Sequence, residues 1–389
     1  MQHSIYRNLR RKAAVLIAAV AIAACTGCAG RQNTDPGEAA EAADPNELQT
    51  KELFAMDTYM SLTAYGEDAE AALEEAAAEI TRLDEMLAAD VKTFAPDLVV
   101  SDSACFWGKL MAGKYALPMV CSTTTFAFNR YSSQYMKYSA AEMADMVLGL
   151  PRLNRAMRKL RPLGYKVKSA LEIVQNANDT DTIVYTSARF QPCADSFDAA
   201  HYRFVGPSLR APQPREKTGR PLIYISLGTV INNHPDFYRR CLEALAAEDV
   251  EVLISCGRAF DPEQLGTLPA NARVMPYVDQ LDVLAGASLF ITHCGMNSAS
   301  EGLYMGVPEL LFPLTGEQQA VARRVQEMSA GRLLTPKEAD DPAAIRRAIR
   351  EALADGKLRD AAAAMRADFL ACGGPKEAAD FIEQAGRKE

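Results

Sequence analysis

Between positions 222 and 292, short apolar runs alternate with helix-patterned stretches, and this alternation constrains the fold more than any other feature of the chain. Leu222-Ile223-Tyr224-Ile225-Ser226-Leu227-Gly228-Thr229 reads as a buried strand entering a glycine turn, and positions 250–255, 272–275 and 289–292 repeat the strand signal. Strands separated by helices cannot pair as hairpins. They build a parallel α/β sheet covered by helices, with ligands at the carboxyl ends of the strands.

A sparser alternation comes before it. Asp97-Leu98-Val99-Val100-Ser101-Asp102 reads as a buried strand ending in a polar residue, followed by a helix at 106–114 and a second strand at 119–122, which is one βαβ unit. Further strands are expected at 182–185 and 202–205. The helices expected at 140–160 and 168–174 are rich in Met and Leu, a pattern that suits either core or an apolar acceptor cleft. The polar, proline-containing stretch 211–220 separates a first unit, 91–210, from a second, 221–375, and leaves a C-terminal helix at 376–389. A chain of 389 residues is long enough for two such domains, each with its own core.

The first 90 residues differ in character. Positions 1–31 carry five basic and no acidic side chains, positions 32–90 two basic and 16 acidic, and the remainder 35 and 34. Arg7, Arg10, Arg11 and Lys12 precede twelve apolar residues and then Cys25, the basic, apolar and small-residue order of a secretory signal. Ile22-Ala23-Ala24-Cys25 resembles a bacterial lipoprotein cleavage box, which makes Cys25 the expected lipidation site and the acidic stretch 26–50 a solvated tether. An uncleaved anchor is the other reading of the same leader. Positions 54–66 alternate like one strand ahead of an Ala/Glu-rich helix to about 88, and within them Ala55-Met56-Asp57-Thr58 resembles the opening of a bacterial FAD:protein FMN transferase. The later segments that such a transferase needs for FAD and magnesium are not found downstream, so flavin chemistry is not expected.

Nucleic acid is excluded as a partner, because the near-neutral body has no clustered basic stripe. Cys25 and Cys28 belong to the leader. The other seven cysteines are scattered singly, which argues against a disulfide framework or a zinc site and suits a reducing compartment.

A polar cluster follows the last of the expected strands, Thr292-His293-Cys294-Gly295-Met296-Asn297-Ser298, with Glu301 one helical turn beyond Ser298. A strand ending at Thr292 delivers His293 to the sheet edge, Gly295 lets backbone approach a ligand, and a helix starting near Met296 aims free amides at it. Such a helix start favours a diphosphate. Ser298-Ala299-Ser300-Glu301 also fits a capping box that needs no ligand, and Asn297 could cap the helix as well. Gly306-Val307-Pro308 is expected to end the helix.

Tyr277-Val278-Asp279-Gln280 ahead of this cluster and Pro313-Leu314-Thr315-Gly316-Glu317-Gln318 behind it complete a segment of roughly 40 residues. It resembles the donor signature of inverting UDP-dependent glycosyltransferases of the macrolide and UDP-glucosyltransferase type, over about residues 95–385. The resemblance implies a GT-B fold: α/β, with two Rossmann-like domains facing a cleft, the N-terminal one incomplete here. It also implies roles. Tyr277 would stack on the uracil and Gln280 would lie along the base and ribose. His293, Gly295, Asn297 and Ser298 would hold the diphosphate, with Gly228 and Thr229 on the other side of the cleft, and Thr292 counts among the donor-binding residues. Glu301 would hold the ribose hydroxyls, and Glu317 with Gln318 the sugar. The expected partners are a UDP-sugar and a small hydroxylated acceptor, with no cofactor and no metal, and a membrane only through the N-terminal leader.

In that family a histidine in the first N-terminal loop, oriented by an aspartate, takes the acceptor proton. Asp102 matches the aspartate, but only His3, His201, His234 and His293 exist, and none lies in the matching loop. The FMN-transferase-like fragment occupies the place where that loop would be, so a join of two genes or fragments is expected between 88 and 94. Asp179-Thr180-Asp181 is formally a metal-binding D-x-D pair, although its loop is also an ordinary Asn/Asp turn. The competing readings are a non-catalytic lipoprotein that keeps a nucleotide-sugar pocket, an unstable fragment, and a nucleotide-sugar epimerase.

Overall fold

The computed structural model describes residues 48–55, 58–65, 85, 88–103, 106–136, 180–213, 219–228, 232–258 and 260–387. Cys25, Met56, Asp57, the helices expected at 140–160 and 168–174, most of the helix expected at 67–88, Asp179 and Thr229 lie outside them.

Leu48–Ala55 (β1) and Thr58–Tyr65 (β2) form an antiparallel pair, in register from Leu48↔Tyr65 to Ala55↔Thr58. The single strand expected at 54–66 is therefore the end of one strand and the whole of the next. Alternation with a period of two carries through a two-residue connection, so the pattern alone does not show the break.

Two parallel sheets follow. In the first, Val99–Asp102 (β3), Met119–Thr123 (β4), Thr182–Val184 (β5) and Tyr202–Phe204 (β6) lie in sequence order, with the helix Phe106–Tyr115 (α1) crossing between β3 and β4. Strand β3 closes one edge of this sheet, where Val100 is 49% exposed. The run 97–102 was expected to be a buried strand, but only Ser101 within it is buried.

The second sheet contains Leu222–Ser226 (β7), Glu251–Ser255 (β8), Ala272–Met275 (β9), Leu289–Thr292 (β10), Glu309–Leu311 (β11) and Gly331–Leu333 (β12) in the order β12-β11-β10-β7-β8-β9. This is a doubly wound arrangement in which the winding reverses between β7 and β10, the position where such sheets open a ligand crevice. Pro235–Leu245 (α2) and Gln280–Leu284 (α3) connect the first half. Met296–Met305 (α4), Gly316–Glu327 (α5), Pro336–Ala339 (α6) and Pro342–Ala354 (α7) connect and cover the second half. β7 and β10 are apolar almost throughout because both of their faces are covered, and all of their residues are buried.

The chain then returns to the first sheet. Gly356–Leu370 (α8) leads to Gly374–Gly386 (α9), whose Ala378, Phe381 and Ala385 pack on Val120, Ile183 and Val205 of the N-terminal sheet. The amide of Gly374 donates to the Val205 carbonyl at 2.8 Å, so the C-terminal helix belongs structurally to the first domain. Loops at the carboxyl ends of β4 and β5 supply a second contact. Phe126 and Phe190 join the core made with α4, α5 and α8, Phe190 stands edge-on to Phe369 at 5.7 Å, and Arg324 donates to the Phe190 carbonyl at 3.0 Å. Among the described residues, no helix is long and apolar enough to cross a membrane.

Phe381 is 4% exposed, so Phe381→Ala leaves a cavity between α9 and the first sheet. A loss of about 3–5 kcal/mol is expected, read by chemical denaturation, with the first domain becoming sensitive to protease before the second.

Candidate functional site

The sheet register builds the site. Thr292 at the end of β10 pairs with Ser226 at the end of β7, so the segments leaving these two strands emerge side by side at the switch point. One carries Gly228 and the other His293 to Gly295. A Cβ on Gly228 would lie 2.6 Å from the His293 ring, and one on Gly295 would lie 2.6 Å from its Nε2. Gly228 also holds φ +82, a conformation that side chains disfavour. Two glycines thus clamp the imidazole.

Helix α4 starts immediately after this clamp. Its N-cap is Gly295, which makes no side-chain cap. Ser298 lies inside the helix, so the capping-box reading of Ser298 to Glu301 fails, and Asn297 does not cap either. The first-turn amides of α4 therefore have no side-chain cap at the carboxyl edge, where they suit an anion. Gly306, at φ +73, ends the helix as expected.

Behind the helix start lies a polar relay. The Tyr224 hydroxyl donates to Gln280 Oε1 at 3.1 Å, while Gln280 Nε2 donates to Glu301 Oε2 at 2.7 Å and to Ser298 Oγ at 3.3 Å. Gln280, Ser298 and Glu301 are thus one assembled unit. Burial raises the Glu301 carboxyl, and the Gln280 amide partly offsets this. Tyr224 was read only as strand, and its polar end in an otherwise apolar run was the available signal.

The remaining residues surround this unit. Tyr277 follows β9 and is 59% exposed, with the Arg258 guanidinium 5.2 Å from its ring centroid. Thr292 is fully buried, and its hydroxyl accepts from the Cys294 amide at 3.1 Å, so it shapes the turn rather than facing a ligand. Gln318 is also turned inward: its Oε1 accepts from the Leu314 amide at 2.8 Å. Burial pushes Glu317 up to about 8. Asn297 is exposed at the first turn of α4.

Asp102 is exposed at the carboxyl end of β3. His201 does not reach it. That ring precedes β6 and its Nδ1 lies 2.7 Å from Asp181, which precedes β5, so the pair occupies the opposite, amino edge of the sheet. This also redefines the D-x-D pair, since Asp181 is engaged by histidine. Among the described residues, no three His, Cys, Asp or Glu side chains gather as a metal site. His234 occupies the N-cap position of α2 in the second domain, without a side-chain capping hydrogen bond.

One buried acid escaped notice in the sequence. Glu309 on β11 is fully buried with neither carboxyl oxygen hydrogen-bonded, and burial drives its carboxyl well above the usual carboxylate range. Gly302 leaves the room it occupies under α4.

Burial pushes His293 down to about 4 against a smaller pull from the Ser226 backbone, and its Nδ1 has no hydrogen-bond partner. The folded protein therefore binds fewer protons than the unfolded chain between pH 6.5 and 4. The His293 contribution is complete above 6.5 and declines as pH falls toward 4, by roughly 3 kcal/mol in all. Glu317 acts oppositely: its contribution is complete below 4.5 and declines as pH rises through 8. Glu317→Gln is expected to raise Tm by several degrees at pH 8 and leave it unchanged at pH 4, read by thermal melts across that range.

The geometry agrees with what known proteins show. Residues 239–384 match the family described as Erythromycin biosynthesis protein CIII-like, C-terminal domain. An uncharacterized UDP-glucosyltransferase, YojK of Bacillus subtilis (strain 168), is 33% identical over 77% of this chain and 75% of its own. The NDP-glycosyltransferase YjiC of Bacillus licheniformis is 34% identical over 74% and 72%. Among solved structures, the calicheamicin glycosyltransferase CalG4 superposes with a TM-score of 0.62 at 32% identity, covering 75% of each chain. Fold and relatives agree: the chain is a glycosyltransferase of the GT-B fold and belongs to the family of UDP-glucosyltransferases and NDP-glycosyltransferases.

Proposed function

We propose that the chain transfers a hexosyl group from a UDP-sugar to a hydroxyl of a small acceptor with inversion, and that it does so slowly. The observation that carries this reading is the clamp of Gly228 and Gly295 on His293 at the start of α4. It would present free amides and a neutral imidazole to a diphosphate, and the roles expected of Glu301 and Glu317 are the hydroxyls of ribose and hexose. In the transfer the acceptor oxygen bonds to the anomeric carbon, the bond from that carbon to the diphosphate oxygen breaks, and UDP leaves with the electron pair. The donor site holds the leaving group through the α4 amides and needs no metal.

The acceptor proton requires a base. Asp102 stands at the carboxyl edge of the first sheet, whereas His201 belongs to the opposite edge and His293 to the donor site, and neither lies in the loop where the family carries its histidine. Loss of such a base typically costs 10²–10⁴-fold in rate. The exposed edge at β3 supports the same reading, since a parallel sheet normally has both sides of an interior strand covered.

The leader and the FMN-transferase-like fragment are assigned to a separate origin, joined to the glycosyltransferase body near 88–94. The leader would direct export as a lipoprotein modified at Cys25, whereas nucleotide sugars are expected inside the cell. A function for the body thus implies that it arose without this leader. DNA reads that run unbroken through these codons in several independent clones would exclude an assembly artefact and leave a genuine fusion.

Calorimetry with UDP is expected to show saturable binding that His293→Ala weakens roughly 10- to 100-fold, the value of one hydrogen bond to a charged group. Transfer to a phenolic or macrolide acceptor should be slow and unaffected by EDTA. A normal turnover number would contradict the missing base, EDTA sensitivity would restore the metal reading, and no UDP binding would remove the donor site.

A further inference from the structure

The donor edge holds a cation that the reading above does not use. Arg258 follows Gly257 at the carboxyl end of β8, next to β9, from which Tyr277 emerges. Its backbone is fixed to the site. Gly257 has φ +87, and a Cβ there would overlap the Asn232 amide, which itself donates to the Gly228 carbonyl at 2.9 Å. The turn that clamps His293 and the turn that carries Arg258 are thus locked through one buried asparagine.

The two arginines near Tyr277 have different occupations. Arg210 pairs with Asp279 at 2.5 Å and Asp282 at 2.9 Å. Arg258 makes no ion pair among the described residues, and its guanidinium rests on the Tyr277 ring. Tyr277, at 59% exposure, makes no ring-to-ring contact among the described residues, so this cation is what fixes the orientation of an otherwise open phenol. An arginine placed over an aromatic face covers only one side of the ring.

We propose that Arg258 is a positioning residue of the donor site, bracing one face of Tyr277 so that the opposite face receives the nucleobase. This rests on the donor-site reading above. It assigns Arg258 to the base, not to the phosphates, and that distinction can be measured. Bracing saves the cost of immobilising the ring at the moment of binding, so its loss should weaken every ligand that carries the base by the same factor.

The test is a double-mutant cycle on the full chain, with UDP and uridine as separate probes, measured by calorimetry and by competition. Arg258→Ala is expected to weaken both ligands about 2- to 5-fold, as an exposed cation–π contact would. Arg258→Lys should recover part of the loss, and KM for the UDP-sugar should rise while kcat stays unchanged. In a Tyr277→Ala background, Arg258→Ala should have no further effect. A loss for UDP but not for uridine would overturn the proposal in favour of a phosphate contact, and a loss that persists without Tyr277 would overturn it as well. If the unaltered chain binds UDP and Arg258→Ala binds it equally, the proposal alone fails; if the unaltered chain binds neither probe, the donor-site reading fails with it.

Discussion

The close approach of backbone to imidazole at the switch point governs the rest of the site. His293 can lie where it does only because Gly228 and Gly295 have no side chains, and the glycines are brought together only because β7 and β10 end in register. The same approach buries the ring, keeps it neutral and leaves its Nδ1 unpaired, at a cost in stability that the rest of the domain absorbs. The helix that follows inherits its direction from this turn. Its uncapped start, its link from Ser298 and Glu301 through Gln280 to Tyr224, and the tie from Gly228 through Asn232 to Gly257 all extend outward from one contact.

The two halves of the molecule are joined closely. Among the described residues the second sheet has six strands and the first has four, with Val100 half-exposed on its edge strand β3. Helix α9 and the cluster of Phe126, Phe190 and Phe369 fasten the smaller sheet to the larger domain from two directions. Much of the burial of the first sheet is therefore supplied by residues after 360, which explains how a short sheet can keep a core of its own.

The sequence made the donor half legible because β7 and β10 are covered on both faces and read as apolar runs: β10 has the bounds expected, as does the half-exposed edge strand β9, and α4 starts at the residue expected. Elsewhere periodicity was not enough. The β1–β2 connection was invisible because a hairpin preserves alternation, and Val99-Val100 read as buried although an edge strand has only one covered side. Thr292 and Gln318 fit the donor signature but turn inward to hold their own backbones, a distinction that only three-dimensional hydrogen bonding reveals. Arg258, Tyr224 and Glu309 were missed because each looks like part of a strand or turn, and its role depends on neighbours far away in sequence.

The central claim is that a diphosphate belongs at the start of α4, against His293. A crystal structure with UDP bound tests it most directly. The account predicts phosphate oxygens within hydrogen-bonding distance of the first-turn amides of α4 and of the His293 ring, with uracil on Tyr277. UDP bound elsewhere, or a diphosphate held away from Gly228 and Gly295, would contradict it.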